Sequence, residues 1–234
     1  MSEKSSQFMR GAKDGFPVVI AATPFGLLFG TLAIDNGFTI SEAVLMSALV
    51  FAGASQMVGI ELFGQNIAPW LILLSIFAVN FRHVLYSATL GRYFKHMSKS
   101  QQAIAFFFMT DPQFAASEQR GERGEKLTFA WYMGMAIPLY VFWVAEAWLG
   151  AVFGSLITDT EALGITFLLS IYFLALLMSF RGRSLFVPVV AASAMSSSIA
   201  FLTLGSPWHV SVGGVFGILV AACWPTRKRE ASEQ

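Results

Sequence analysis

Residues 79–87 read VNFRHVLYS, and on a helix Asn80, His83 and Ser87 recur at spacings of three and four, which puts them on one face. Arg82 points about a quarter-turn away from that stripe. A guanidinium grips a carboxylate through two parallel hydrogen bonds, and an imidazole changes charge near neutral pH. Asp111 in MTDPQFA and Glu146 in WVAEAWLG add two carboxyl groups set in apolar sequence. These groups have distinct chemical uses: Arg82 can bind a carboxylate, Asp111 can accept from an ammonium, and His83, Asp111 or Glu146 can carry a proton. Two plainer roles stand beside that one. Arg82 snorkels toward the headgroups with Arg92 and Lys95, or it forms a structural ion pair with Asp111 or Glu146.

Two further stretches join the candidate binding set. In FAGASQMVG, Gly53, Ala54 and Ser55 let a neighbouring backbone approach, while the Gln56 amide needs partners, either across a helix contact or in a substrate cavity. In TPFGLLFG, Pro24 removes a backbone donor and Gly26 and Gly30 loosen the helix, so an interrupted helix with exposed backbone ends is expected there. The alternative is a packing kink, since Gly26 and Gly30 also make a GxxxG pair, as do Gly150 with Gly154 and Gly213 with Gly217. The expected substrate-binding residues are thus Pro24, Gly26, Gly53, Ser55, Gln56, Asn80, Arg82 and Asp111.

The elements that position these residues follow from composition. Of 234 residues 56% are hydrophobic and 12% charged, with mean hydropathy +0.63. A soluble domain carries about a quarter charged residues, so a soluble globule is excluded. Uncharged runs near the ~20 residues that a spanning helix needs recur at 15–34, 43–60, 68–90, 101–117, 127–149, 162–180, 184–204 and 209–224. Gly205, Ser206 and Pro207 make the turn that divides the last two. None shows the short alternating pattern of a barrel strand, so the fold class is all-α, a polytopic helical membrane bundle of about 7–8 segments. The first run is longer than a signal-peptide core and reads as the first helix.

Lys and Arg mark the N-terminus (Lys4, Arg10, Lys13), the loops with Arg92, Lys95, Lys99 and with Arg120, Arg123, Lys126, the Arg181/Arg183 pair, and the tail Arg227, Lys228, Arg229. Short loops rich in these residues stay in the cytoplasm, which places both termini there. Residues 1–14 are then a cytoplasmic segment, 15–225 a membrane transport domain and 226–234 a cytoplasmic tail. Strict alternation, however, puts the loop with Arg92, Lys95 and Lys99 outside. Either that loop breaks the rule, or segments 43–60 and 101–117 are re-entrant, which is allowed where protein or a water-filled cavity covers the irregular backbone.

Other function classes fare poorly. His83, His96 and His209 lack metal-ligand spacing, and Cys223 is the one cysteine, so neither a zinc site nor an internal disulfide is expected. Ser55 with His83 or His209 lacks a GxSxG elbow, and no enzyme activity, cofactor or nucleic-acid partner is expected. A substrate-specific carrier, a channel and a non-transporting membrane subunit stay open.

The runs GFPVVIAATPFGLLFGTLA, LVFAGASQMVGIEL, FAVNFRHVLYSATL and MTDPQFA, in that order, resemble the AzlC family, the large subunits of branched-chain amino acid exporters. The likeness is most specific in FAGASQ and NFRHVLYS and rests on hydropathy in the C-terminal third. It implies a bacterial inner-membrane protein that works with a small AzlD-type subunit and exports valine, leucine, isoleucine and, in some members, methionine. Carried over by motif, it marks Gly53, Ser55, Gln56, Asn80, Arg82, His83 and Asp111. The family leads one to expect an acidic residue after Thr110 and Asp111. Here Pro112 and Gln113 stand instead, which removes a carboxylate pair from any coupling step.

Overall fold

A computed structural model describes residues 3–64, 67–154, 174, 177–178, 180–205 and 208–224. Its elements are α1 (Glu3–Asp35), α2 (Ile40–Leu49), α3 (Gly53–Gly64), α4 (Pro69–Gly91), α5 (Lys99–Phe107), α6 (Asp111–Glu122), α7 (Phe129–Phe153), α8 (Phe186–Leu204) and α9 (Trp208–Cys223). The chain is all-α among the described residues, and α1, α4, α7 and α8 are long and apolar enough to cross a membrane. Most of the expected span at 162–180, the turn residues Ser206 and Pro207 and the tail from residue 225 lie outside the described residues.

Local signals start the helices. Thr39 and Glu42 form a capping box on α2, and Ser98 and Gln101 form another on α5, each satisfying two backbone donors that a helix start leaves open. Pro69 opens α4 and Pro112 opens α6, where a missing N–H costs nothing. Thr128 caps α7 by accepting from Trp131 N at 3.2 Å. Gly37 ends the turn after α1 with φ 86°, a conformation that side chains disfavour.

Two compact units result, one of α1–α7 and one of α8–α9. In the second, Gly213 and Gly217 pack against Ser197 and Ser193 of α8. The first is organised by α1 and α7, which run parallel: Gly11 meets Trp131, Gly15 meets Met135, Gly26 meets Glu146 and Gly30 meets Ala147. A Cβ at Gly30 would stand 2.5 Å from Ala151 N, and at Gly26 2.6 Å from Glu146 Cβ. The pairs Gly26/Gly30 and Gly150/Gly154 therefore serve the same close contact between α1 and α7, Gly30 and Gly150 against backbone and Gly26 and Gly154 against the Glu146 and Thr31 side chains. α1 continues unbroken through Pro17 and Pro24, so the interruption expected at Pro24 is absent. A proline is tolerated inside a membrane helix when a neighbouring helix supports it, and here α7 lies along most of α1.

The interruptions lie elsewhere. Segment 43–60 divides into α2 and α3 at residues 50–52, and segment 101–117 into α5 and α6 at 108–110. Each pair is a hairpin. Phe38 before α2 and Phe63 near the end of α3 have ring centroids 4.8 Å apart, so both ends of the first hairpin sit beside the end of α1. In the second, α6 runs alongside α4: Arg82 and Tyr86 reach Asp111, and Arg92 reaches Glu118. Phe94 and Tyr132 rings lie 5.3 Å apart, so the loop after α4 sits beside the start of α7. The basic loops around Arg92 and Arg123 consequently share one end of the unit. With 10, 12, 9 and 12 residues, each hairpin arm covers roughly half of a ~30 Å hydrocarbon core. The re-entrant alternative removes the conflict in charge placement.

Candidate functional site

The bends of the two hairpins meet in the interior. Phe51 of the first and Phe108 of the second approach edge to face with centroids 6.3 Å apart, and Tyr140 of α7 stands 5.2 Å from each. Tyr140 is fixed by donating to Ala48 O at 2.9 Å.

Beside Phe51 lies a cavity of about 80 Å³. Ala22 and Phe25 of α1, Phe51, Met57 of α3, and Leu139 and Trp143 of α7 give it an apolar wall. Gly53 and Ala54, at the start of α3, and Thr110, Asp111 and Pro112, at the start of α6, form the rest. The first N–H groups of a helix have no partner within it and carry its positive end, so two such ends border this space. Thr110 precedes α6 without capping it by its side chain, and its buried Oγ1 has no hydrogen-bond partner among the described residues.

Asp111 is the charged group of the cavity. Its Oδ2 lies 3.2 Å from Arg82 Nη2, and its Oδ1 accepts from Tyr86 OH at 2.8 Å. Tyr86 is held by stacking on Phe114, 4.1 Å between centroids. The pair is neither dry nor fully wet, with side chains 25% and 12% exposed for Arg82 and Asp111. Of the three roles raised by sequence for Arg82, the ion pair is the one formed, with Asp111 rather than with Glu146, in place of snorkelling to the headgroups, and gripping a substrate carboxylate requires that pair to open.

Also beside Phe51, a second cavity of about 290 Å³ is lined by Asn80 and His83 of α4, by Ala52, and by Phe106, Phe107 and Met109 at the end of α5. Asn80 Oδ1 accepts from Ser55 Oγ at 2.6 Å, which ties α4 to the start of α3. His83 meets the Tyr86 ring at 5.6 Å, and its buried Nδ1 has no hydrogen-bond partner among the described residues. Asn80 and His83 do share a cavity, while Ser87 turns back to donate to His83 O at 2.7 Å.

Three expected residues sit behind the walls. Gln56 is fully buried, donating to Ser47 Oγ at 3.0 Å and accepting from Trp143 Nε1 at 3.1 Å, so its amide joins α2, α3 and α7. Glu146 accepts from Thr23 Oγ1 at 2.6 Å and packs over Gly26 in the α1–α7 contact. Pro24 lies next to Phe25 but is not itself in the wall.

Sequence reading missed Thr110, Phe51, Phe108, Tyr86, Tyr140 and Trp143 as site residues. One signal was available: Thr110-Asp111-Pro112 is a helix start, with a capping residue, an acid in the first turn and an early proline. The aromatic residues carried none, as 23 phenylalanines offer no way to choose two.

The family model described as AzlC protein matches residues 17–157. The chain is 33% identical over 223 residues to Inner membrane protein YgaZ of Escherichia coli, covering 93% of this chain and 90% of that one. It is 36% identical over 183 residues to an uncharacterized membrane protein of Archaeoglobus fulgidus, covering 77% and 79%. It is 24% identical over 238 residues to Branched-chain amino acid transport protein AzlC of Bacillus subtilis, covering 98% and 92%. No solved structure matches.

Proposed function

The chain belongs to the AzlC family, and on that premise we propose that this multi-pass membrane transporter exports valine, leucine and isoleucine from the cytoplasm, with methionine as a further candidate substrate, driven by protons and together with a small AzlD-type subunit. The observation that carries this reading is the apolar cavity between the two hairpin bends, bounded by Asp111 and by two helix N-termini. A branched-chain amino acid needs an apolar recess for its side chain, an acceptor for its ammonium and positive potential for its carboxylate. Phe25, Met57, Leu139 and Trp143 supply the recess. Asp111 takes the ammonium, and the carboxylate turns to Arg82 and to the N–H groups that start α3 and α6. The zwitterion thus replaces the Arg82–Asp111 contact with one contact to each partner. The relative of Bacillus subtilis, named for branched-chain amino acid transport, supports the substrate class.

The basic loops at the Arg92 and Arg123 end favour a cytoplasmic location for that end, and for the start of α1. The membrane concerned is then the bacterial inner membrane. Apart from the bound pair, His83 and Glu146 are the ionisable groups on these crossing helices that offer themselves for proton transfer.

The test is efflux of labelled valine, leucine and methionine from preloaded cells expressing the chain with and without the small subunit, with and without a protonophore. Saturable efflux that requires the subunit and collapses with the proton gradient is the expected result. Background efflux of all three under every condition would reject the substrate class.

A further inference from the structure

At the end of the first unit that carries the basic loops, the N-terminal part of α1, the end of α6 and the first turns of α7 enclose a polar cleft of about 410 Å³, apart from the cavities at the hairpin bends. We propose that this cleft binds a phosphate group, supplied by an anionic phospholipid headgroup or by free phosphate. Three guanidiniums line it, Arg10, Arg120 and Arg123, from α1, α6 and the loop that follows α6.

Arg120 is built in rather than merely solvated. Its side chain is 12% exposed, its guanidinium carbon lies 4.7 Å from the centre of the Trp131 ring, and its Nη1 is 3.1 Å from Glu125 Oε2. Trp131 is in turn fixed by donating from Nε1 to Asp14 Oδ2 at 2.8 Å. Both carboxylates of the cleft are therefore engaged, Glu125 by Arg120 and Asp14 by Trp131. Arg10 and Arg123 are exposed and have no ion pair or hydrogen bond from their side chains among the described residues. Three cations against two carboxylates leave one positive charge in excess. A phosphate accepts hydrogen bonds on several oxygens, and guanidiniums arriving from different segments match it better than they match a single carboxylate.

Depth favours the lipid source. The uncharged run of α1 begins at residue 15, directly after Asp14, and α7 begins at Phe129, two residues before Trp131. The cleft therefore sits at the level of headgroups, where basic pockets between crossing helices bind anionic lipids. This site does not depend on the export reading, and its failure would leave that reading intact.

The experiment is native mass spectrometry of the full chain in detergent, titrated with phosphatidylglycerol, with phosphatidylcholine, and with inorganic phosphate alone. Phosphatidylglycerol is expected to be retained well above phosphatidylcholine. The double variant Arg10→Gln/Arg123→Gln should weaken that retention by on the order of 30-fold, and Arg10→Lys/Arg123→Lys should restore most of it. Unchanged melting of the glutamine variant separates the loss of binding from a loss of folding. Arginine-dependent binding of inorganic phosphate, with no preference between the two lipids, would assign the site to free phosphate. Equal retention of phosphatidylglycerol by the native chain and the glutamine variant, with no arginine-dependent phosphate binding, overturns the proposal.

Discussion

Phe51, at the bend between α2 and α3, lines two cavities, and it meets Phe108, at the bend between α5 and α6, edge to face with centroids 6.3 Å apart. One ring thus lines both the space beside Asp111 and the space beside Asn80 and His83. Replacing Phe51 with Ala enlarges both spaces and costs about 3 kcal/mol of folding stability. Phe51→Leu keeps most of the volume and isolates the effect on transport. The expected outcome is weaker discrimination between leucine and larger amino acids, read as competition by unlabelled phenylalanine against leucine efflux. Unchanged selectivity in both variants would mean that Phe51 does not set substrate size.

The hairpin arrangement predicts sidedness. After Cys223→Ser removes the native thiol, single cysteines at Lys95 and Arg123 should react with an impermeant maleimide from one face of the membrane. Cysteines at Thr39 and Phe63 should react from the opposite face. Five successive crossings would instead put Lys95 and Arg123 on different faces, so this labelling pattern decides between the two topologies.

Close packing of α1 on α7 makes Gly30 a sensitive position. A methyl there meets the backbone of Ala147 and Ala151, which cannot rotate away, so Gly30→Ala should destabilise by about 1–3 kcal/mol. Gly91→Ala, at the end of α4 with nothing within 4 Å of its Cβ, is the control and should not lower the melting temperature. Thermal melts in detergent check both.

How much of this was legible in the sequence differs by residue. The apolar runs gave the long helices, and the clash between charge placement and strict alternation pointed to 43–60 and 101–117 as the irregular segments. Pro24 misled, because the support of α7 along α1 outweighs one missing donor, and only tertiary contact shows that. The direction of Gln56 was equally hidden: one partner, Ser47, is nine residues away and the other, Trp143, is 87 away. The meeting of Asp111 with Arg82 was one of two pairings that charge alone allowed, and Glu146 took Thr23 instead.

The Arg82–Asp111 contact yields a prediction with two readouts. Arg82→Gln leaves Asp111 with the Tyr86 hydroxyl as a donor, and a hydrogen bond to a charged group contributes about 1.5–3 kcal/mol, less here because Arg82 is partly exposed. Arg82→Lys keeps the charge but loses the two-pronged geometry. Leucine efflux should fall at least tenfold in the glutamine variant, with the lysine variant in between. If export and substrate affinity are unchanged in both, Arg82 is a structural partner of Asp111 and does not grip the substrate.

Glu146 tests the coupling step separately from binding. Its carboxylate accepts from Thr23 and fills the space over Gly26, away from the apolar cavity, so Glu146→Gln preserves size and can still accept that hydrogen bond. Substrate exchange between labelled and unlabelled pools needs binding and reorientation but no net proton movement, whereas uphill efflux needs the proton. Glu146→Gln should therefore retain exchange while losing the protonophore-sensitive part of efflux. Loss of both would place Glu146 in folding or binding. Retention of both would leave His83 to carry the proton, and His83→Gln is then the variant in which exchange and driven efflux should part.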